Sequence, residues 1–145
     1  SASNALPVQI SLGSSYISSS NPLPVMIDPQ AAGTAVVDYK DAASIAAGAS
    51  DNHDYTVSVG KTLLLKQVLI SGSGKLKAEI QVETAAASNV FVTMAVLFNS
   101  TATPNMTLGP VQDIQITAGK RIRVIRTNKD NQTQDVYSTI FGVEI

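Results

Sequence analysis

Cysteine and tryptophan are absent from the 145 residues, histidine occurs once, and charged residues make up only 14%, where a folded domain ordinarily carries about 25%. Without cysteine there is no disulfide scaffold and no thiolate zinc site. A single histidine, His53, leaves any serine nucleophile with one conventional base. Ten Lys and Arg stand against eleven Asp and Glu, a formal net charge of -1, which argues against nucleic-acid binding through bulk charge. Long hydrophobic runs are missing too. The longest, such as 93–98, fall far short of the roughly 18 residues a membrane helix needs. The opening SASNALPVQISLGSS lacks the basic start and apolar run of a secretory signal.

What is present is β-branched. Val, Ile and Thr number 15, 12 and 12, the side chains that suit a pleated surface. Residues 1–33 differ from the rest, with four of the six prolines, two serine runs and Asp28 as the sole charge. Such a segment cannot bury enough apolar surface to fold unaided. Its alternating Val8, Ile10 and Leu12 and its proline-extended Leu23, Val25 and Ile27 suit an arm that docks on a neighbour. The expected organisation is an extended N-terminal arm over 1–33 and a β-sandwich domain over 34–145.

From Thr34 onward, short strands alternate with turns. In 75–83, Leu76, Ala78, Ile80 and Val82 alternate with Lys75, Lys77, Glu79, Gln81 and Glu83, the pattern of an antiparallel strand with one wet face. Segments 62–70 and 90–98 are apolar on both parities, so each is expected to be central or to have its second face covered by a partner. Val57-Ser-Val-Gly-Lys61 and Ile116-Thr-Ala-Gly-Lys120 read as two hairpins built on the same glycine turn. Helix signals are poor: the alanines of 42–49 are interrupted by Gly48, and those of 85–87 are too few. The fold class is all-β, an antiparallel two-sheet, jelly-roll-like sandwich.

The chemistry-bearing groups are few. Asp51-Asn-His-Asp54 reads as a solvated loop, because no second His or Cys exists to complete a metal site. There is no Gly-x-Ser-x-Gly elbow and no phosphate-binding loop. Glu79 and Glu83 share a wet face, which is not the cleft a glycosidase needs. The reading is no enzyme, with no catalytic residue, no metal and no cofactor. Lys120-Arg-Ile-Arg-Val-Ile-Arg126 holds all three arginines. Arg121 and Arg123 share one face, and Arg126 falls on the other parity. Without interleaved aromatics, cross-strand ion pairs or an acidic partner surface fit this run better than nucleic acid. Loops 99–110 and 128–134 are exposed candidates for ligand contact.

The last two-thirds of the chain resembles small tailed-phage virion proteins, which include capsid decoration (cement) proteins and neck or tail accessories. The likeness rests on Tyr55-Thr-Val-Ser-Val-Gly-Lys-Thr-Leu63, Phe98-Asn-Ser-Thr101, Ile116-Thr-Ala-Gly-Lys120, Arg126-Thr-Asn-Lys-Asp130 and Asp135-Val-Tyr-Ser-Thr-Ile-Phe-Gly-Val-Glu144. Ser20-Asn-Pro-Leu-Pro-Val25 looks like the leader of phage structural proteins. The resemblance implies a virion β-sandwich, commonly trimeric, and does not fix its position in the virion; the expectation here is the capsid surface in preference to the tail. Its partners would be further copies of itself and the major capsid protein or another virion protein, with no nucleic acid and no membrane. The expected contacts are Val8, Ile10, Leu12, Leu23, Val25 and Ile27 in the arm, an apolar face around Phe91 and Leu97, and Arg121 and Arg123. The alternative is a neck, tail or fibre module that binds a host-surface glycan or another virion protein.

Overall fold

The computed structural model describes residues 11–12, 15–16, 33–100, 102–111 and 114–145. The chain divides into two units, Ser1–Ala31 and Ala32–Ile145. In the first, β1 (Ser11–Leu12) and β2 (Ser15–Tyr16) pair antiparallel. Of the expected arm contacts, Val8, Ile10, Leu23, Val25 and Ile27 lie outside the described residues. Of Leu12, only the backbone in β1 is described.

The second unit is a sandwich of β3 (Thr34–Ile45), β4 (Ser50–Thr56), β5 (Thr62–Gly72), β6 (Leu76–Glu83), β7 (Phe91–Phe98), β8 (Asn105–Leu108), β9 (Ile114–Thr117), β10 (Arg121–Asn128) and β11 (Gln134–Glu144). One sheet runs β4-β10-β6-β7 and the other β3-β11-β5-β8, with β9 also on β5. β8 and β9 pair with opposite ends of β5 and together fill one strand position. The strand positions then interleave as two Greek keys, the arrangement of a jelly roll. All pairings are antiparallel.

Alternation decides what lies inside. On β10, Ile122, Val124, Arg126 and Asn128 are buried while Arg121 and Arg123 face outward. Leu63, Leu65, Ile80, Ile122, Val124 and Ile140 are at most 1% exposed and form the centre of one core between the sheets. Each such side chain contributes about 1.5–3 kcal/mol by burial. β5, apolar on both parities, is interior to its sheet, flanked by β11 on one side and by β8 and β9 on the other.

Several expectations need correcting. The two glycine turns do not close hairpins. Gly60 and Gly119 have positive φ, 73° and 75°, but β4 pairs with β10 and β5 with β9 and β11. Each turn therefore carries the chain from one sheet to the other. A two-residue turn says how sharply the chain reverses, not which strand pairs with it. Asp51-Asn-His-Asp54 is not a solvated loop but part of β4, with His53 buried. Loop 99–110 contains β8. β7, apolar on both parities, is not central: it is the edge of its sheet.

Gly142 marks a close approach. A Cβ there would lie 2.6 Å from Leu63 Cδ1 and 2.8 Å from the carbonyl oxygen of Leu64, beside a register shift between Phe141 and Gly142. The backbone oxygen cannot step aside without breaking the β11–β5 ladder. Gly142→Ala is expected to cost about 1–3 kcal/mol, read as a lower urea midpoint with an unchanged m-value.

Candidate functional site

Two regions gather the side chains that carry chemistry. The first is the outer face of the β4-β10-β6-β7 sheet. Arg121 on β10 donates through Nε and Nη2 to the two carboxylate oxygens of Glu83 on β6, at 3.1 and 2.7 Å, and through Nη2 to Asn89 Oδ1 at 2.6 Å. Arg123 forms a two-pronged pair with Asp54 on β4, both contacts at 2.7 Å. Such forked pairs are the strongest and most directional charged hydrogen bonds. The arginines expected to form cross-strand pairs do so, with partners on the adjacent strands. Glu83, expected on a wet face, is buried instead, covered by Arg121 and by the Asn89 amide, which donates to it at 2.7 Å.

Phe91 and Leu97 do not share one face. The β6–β7 register shifts between Ile80 and Gln81, an irregularity that admits one extra residue on β7 and switches its alternation. Phe91 stands over the outer face, with the guanidinium carbons of Arg123 and Arg121 4.2 and 5.2 Å from its ring centroid. The two cations stack on the ring and cover it. Leu97 packs against the core. The exposed apolar side chains are instead Val92, Val96 and Phe98, at 57%, 44% and 67% exposure, joined by Met94. Among the described residues no strand pairs with the free edge of β7. A sequence signal for this region existed: between Glu83 and Asp113 there is no charged residue. Natural edge strands are usually guarded by charge, as β3 and β4 are here by Asp38, Lys40, Asp51 and Asp54.

The second region is a polar seam between the sheets where β3 and β4 approach. His53 Nε2 lies 2.8 Å from Asp38 Oδ2, and Nδ1 lies 2.7 Å from Ser138 Oγ. With Asp38 accepting, Nε2 carries the proton and Nδ1 accepts from the serine hydroxyl. The residue types are those of a hydrolytic triad, but Ser138 is only 2% exposed and its hydroxyl faces the sandwich interior. The arrangement links three strands, β3, β4 and β11, rather than presenting a nucleophile. On one side of it, Arg126 donates to the Lys40 carbonyl at 2.8 Å and to the Asp51 carboxylate. On the other, Tyr55 donates to Glu144 at 2.7 Å and the Ser58 amide does so at 2.9 Å. Burial would push the Glu144 carboxyl up, but these hydrogen bonds hold it below its ordinary value.

The seam makes stability depend on pH. Burial lowers the His53 pKa from its ordinary 6.5, and the charges of Arg126 and Lys40 act in the same direction. The Asp38 hydrogen bond and charge oppose them without prevailing. The unfolded chain takes up a proton that the folded chain refuses. His53 therefore costs no stability above pH 6.5 and removes stability as pH falls below it, by at most about 1.4 kcal/mol per pH unit. In His53→Gln the slope between pH 7 and 5.5 should flatten, measured by urea unfolding at each pH. Glu83 acts lower: its hydrogen bonds to Arg121 hold it down to about 2 from 4.5. Its contribution is complete above 4.5 and is lost as pH falls toward 2.

No family model matches the chain, and no curated protein matches it. Among solved structures it is similar to PirA, with 12% identity, 71% of this chain and 92% of that chain covered, and a TM-score of 0.45. It is also similar to the Drosophila NLP core, whose structure is described as giving insight into pentamer formation and histone binding. There the identity is 21%, the coverage 74% and 97%, and the TM-score 0.36. Likenesses this distant carry no functional argument.

Proposed function

We propose that this chain is a virion structural protein of a tailed phage, a capsid decoration or cement protein that works by binding copies of itself and a shell protein. The observation that supports this reading is the β7 edge. It is an eight-residue strand without a charged side chain, open along its backbone among the described residues and bearing exposed Val92, Val96 and Phe98. An open, uncharged, apolar edge is a template for association. The motif resemblance supplies the setting, a virion β-sandwich that is commonly trimeric. Cementing needs no catalysis. A subunit that binds only the assembled, folded shell stabilises it by mass action, and repeated contacts raise avidity without new chemistry.

The test is the mass of the purified protein in solution and its copy number on particles. A homo-oligomer present in hundreds of copies supports shell decoration. A few to a dozen copies would move the protein to the neck or tail. A monomer that does not bind particles would overturn the proposal.

A further inference from the structure

We propose that the outer face of the β3-β11-β5-β8 sheet is a binding groove for a neutral oligosaccharide. Register places eight side chains of this face in two rows. Tyr39, Thr139, Leu69 and Thr107 face one another across the four strands, and Asp41, Tyr137, Ser71 and Asn105 form the next row. Seven of the eight, all but Asp41, line an open cleft of about 360 Å3, within the range of small-molecule sites. At about 4.8 Å per strand spacing, the rows run roughly 14 Å, long enough for a short oligosaccharide.

The lining sets the ligand class. A pyranose has a C–H face and a rim of hydroxyls that both donate and accept. Tyr39 and Tyr137 are exposed to 58% and 37% and sit diagonally on neighbouring strands, within reach of a single ligand. The negative faces of their rings attract polarised C–H groups. Around them, three hydroxyls and an amide supply donors and acceptors, with the Asp41 carboxylate opposite Tyr137 in register. None of the eight is a cation. Lys40, between Tyr39 and Asp41, points to the other face and contacts Asp51. Phosphates, acidic polysaccharides and nucleic acids, which need Arg or Lys, are therefore disfavoured. Of the two loops named from the sequence, 99–110 contributes Asn105 and Thr107 through β8. Loop 128–134 instead closes on its own base, where Asn128 bonds the Gln132 carbonyl.

The groove lies on the sheet opposite β7, so it stands independently of the assembly reading. The test titrates the intact chain with neutral glucose-, galactose-, mannose- and N-acetylhexosamine-based oligosaccharides, read by calorimetry and by tyrosine fluorescence, which no tryptophan masks. At least one should bind with a dissociation constant of roughly millimolar or tighter, the range open to so small a ligand. Tyr39→Ala and Tyr137→Ala should each weaken it tenfold or more, with their melting temperatures unchanged. No binding across the panel would overturn the groove, and so would binding that both substitutions leave intact. A preference for sulfated or acidic glycans would overturn the ligand class. Charge substitutions on β7 should leave sugar affinity unchanged, and the tyrosine variants should leave association unchanged.

Discussion

Arg126→Ala is expected to lower the unfolding free energy by about 2–4 kcal/mol, from the void and the lost hydrogen bonds that truncating a fully buried side chain leaves. At about 2–4 °C per kcal/mol for a chain of this size, the melting temperature should fall by roughly 10 °C, measured by calorimetry. Arg126 is 0% exposed. Its loss removes the donor to the Lys40 carbonyl and one of the two cations on Asp51, leaving Lys40 at 3.2 Å, and it opens a void between the sheets. The guanidinium is not ideally placed: Nε has no hydrogen-bond partner, and burial lowers the Arg126 pKa. Arg126→Met combined with Asp51→Asn should therefore recover most of the loss or exceed the parent, because a packed apolar side chain needs no compensation for desolvation. If Arg126→Ala melts within about 2 °C of the parent, the seam does not hold the sheets together.

Val96→Lys combined with Phe98→Glu is expected to abolish self-association while leaving the sandwich folded. Val96 faces Glu79 and Phe98 faces Lys77 across the β6–β7 ladder, so each new charge meets its opposite on the neighbouring strand. Cross-strand pairs of this kind are neutral or favourable to the sheet. The apolar face is lost. With about 1.5–3 kcal/mol for each large side chain buried in an interface, two such losses weaken association by a factor of about 10² to 10⁴. Sedimentation equilibrium across a dilution series would read this, with circular dichroism confirming the retained β signal. An association constant unchanged in the double variant would place the interface elsewhere.

Much of this was legible in the residues. Alternation in 75–83 and 121–127 identified β6 and β10 and assigned Arg121 and Arg123 to one outward face. For those arginines the sequence left cross-strand ion pairs and an acidic partner surface both open, and the register decided for pairs with Glu83 and Asp54. The seam was not legible. Asp51-Asn-His-Asp54 is polar at every position and reads as loop, because local hydrophilicity is the same whether the partners are water or a facing sheet. This stretch bonds Asp38, Arg126 and Ser138, and Arg126 in turn bonds Lys40, 86 positions away. The groove was hidden for the same reason: Tyr39 and Tyr137 are neighbours only through the β3–β11 register. The split of Phe91 from Leu97 depends on one extra residue at a bulge, which period-two alternation cannot anticipate.

Composition and periodicity were enough for the class of this protein: an all-β sandwich, weakly charged, with side chains that alternate between core and surface. They carry that information because a strand's two faces repeat every two residues, whatever strand lies beside it. Strand order, the edge position of β7, the burial of His53, Glu83 and Arg126, and the pairing of the two tyrosines required the folded chain. Each depends on which segments meet, and in a jelly roll nearly every pairing joins strands distant in sequence. The free energy that selects those pairings belongs to the whole core and is written in no single segment.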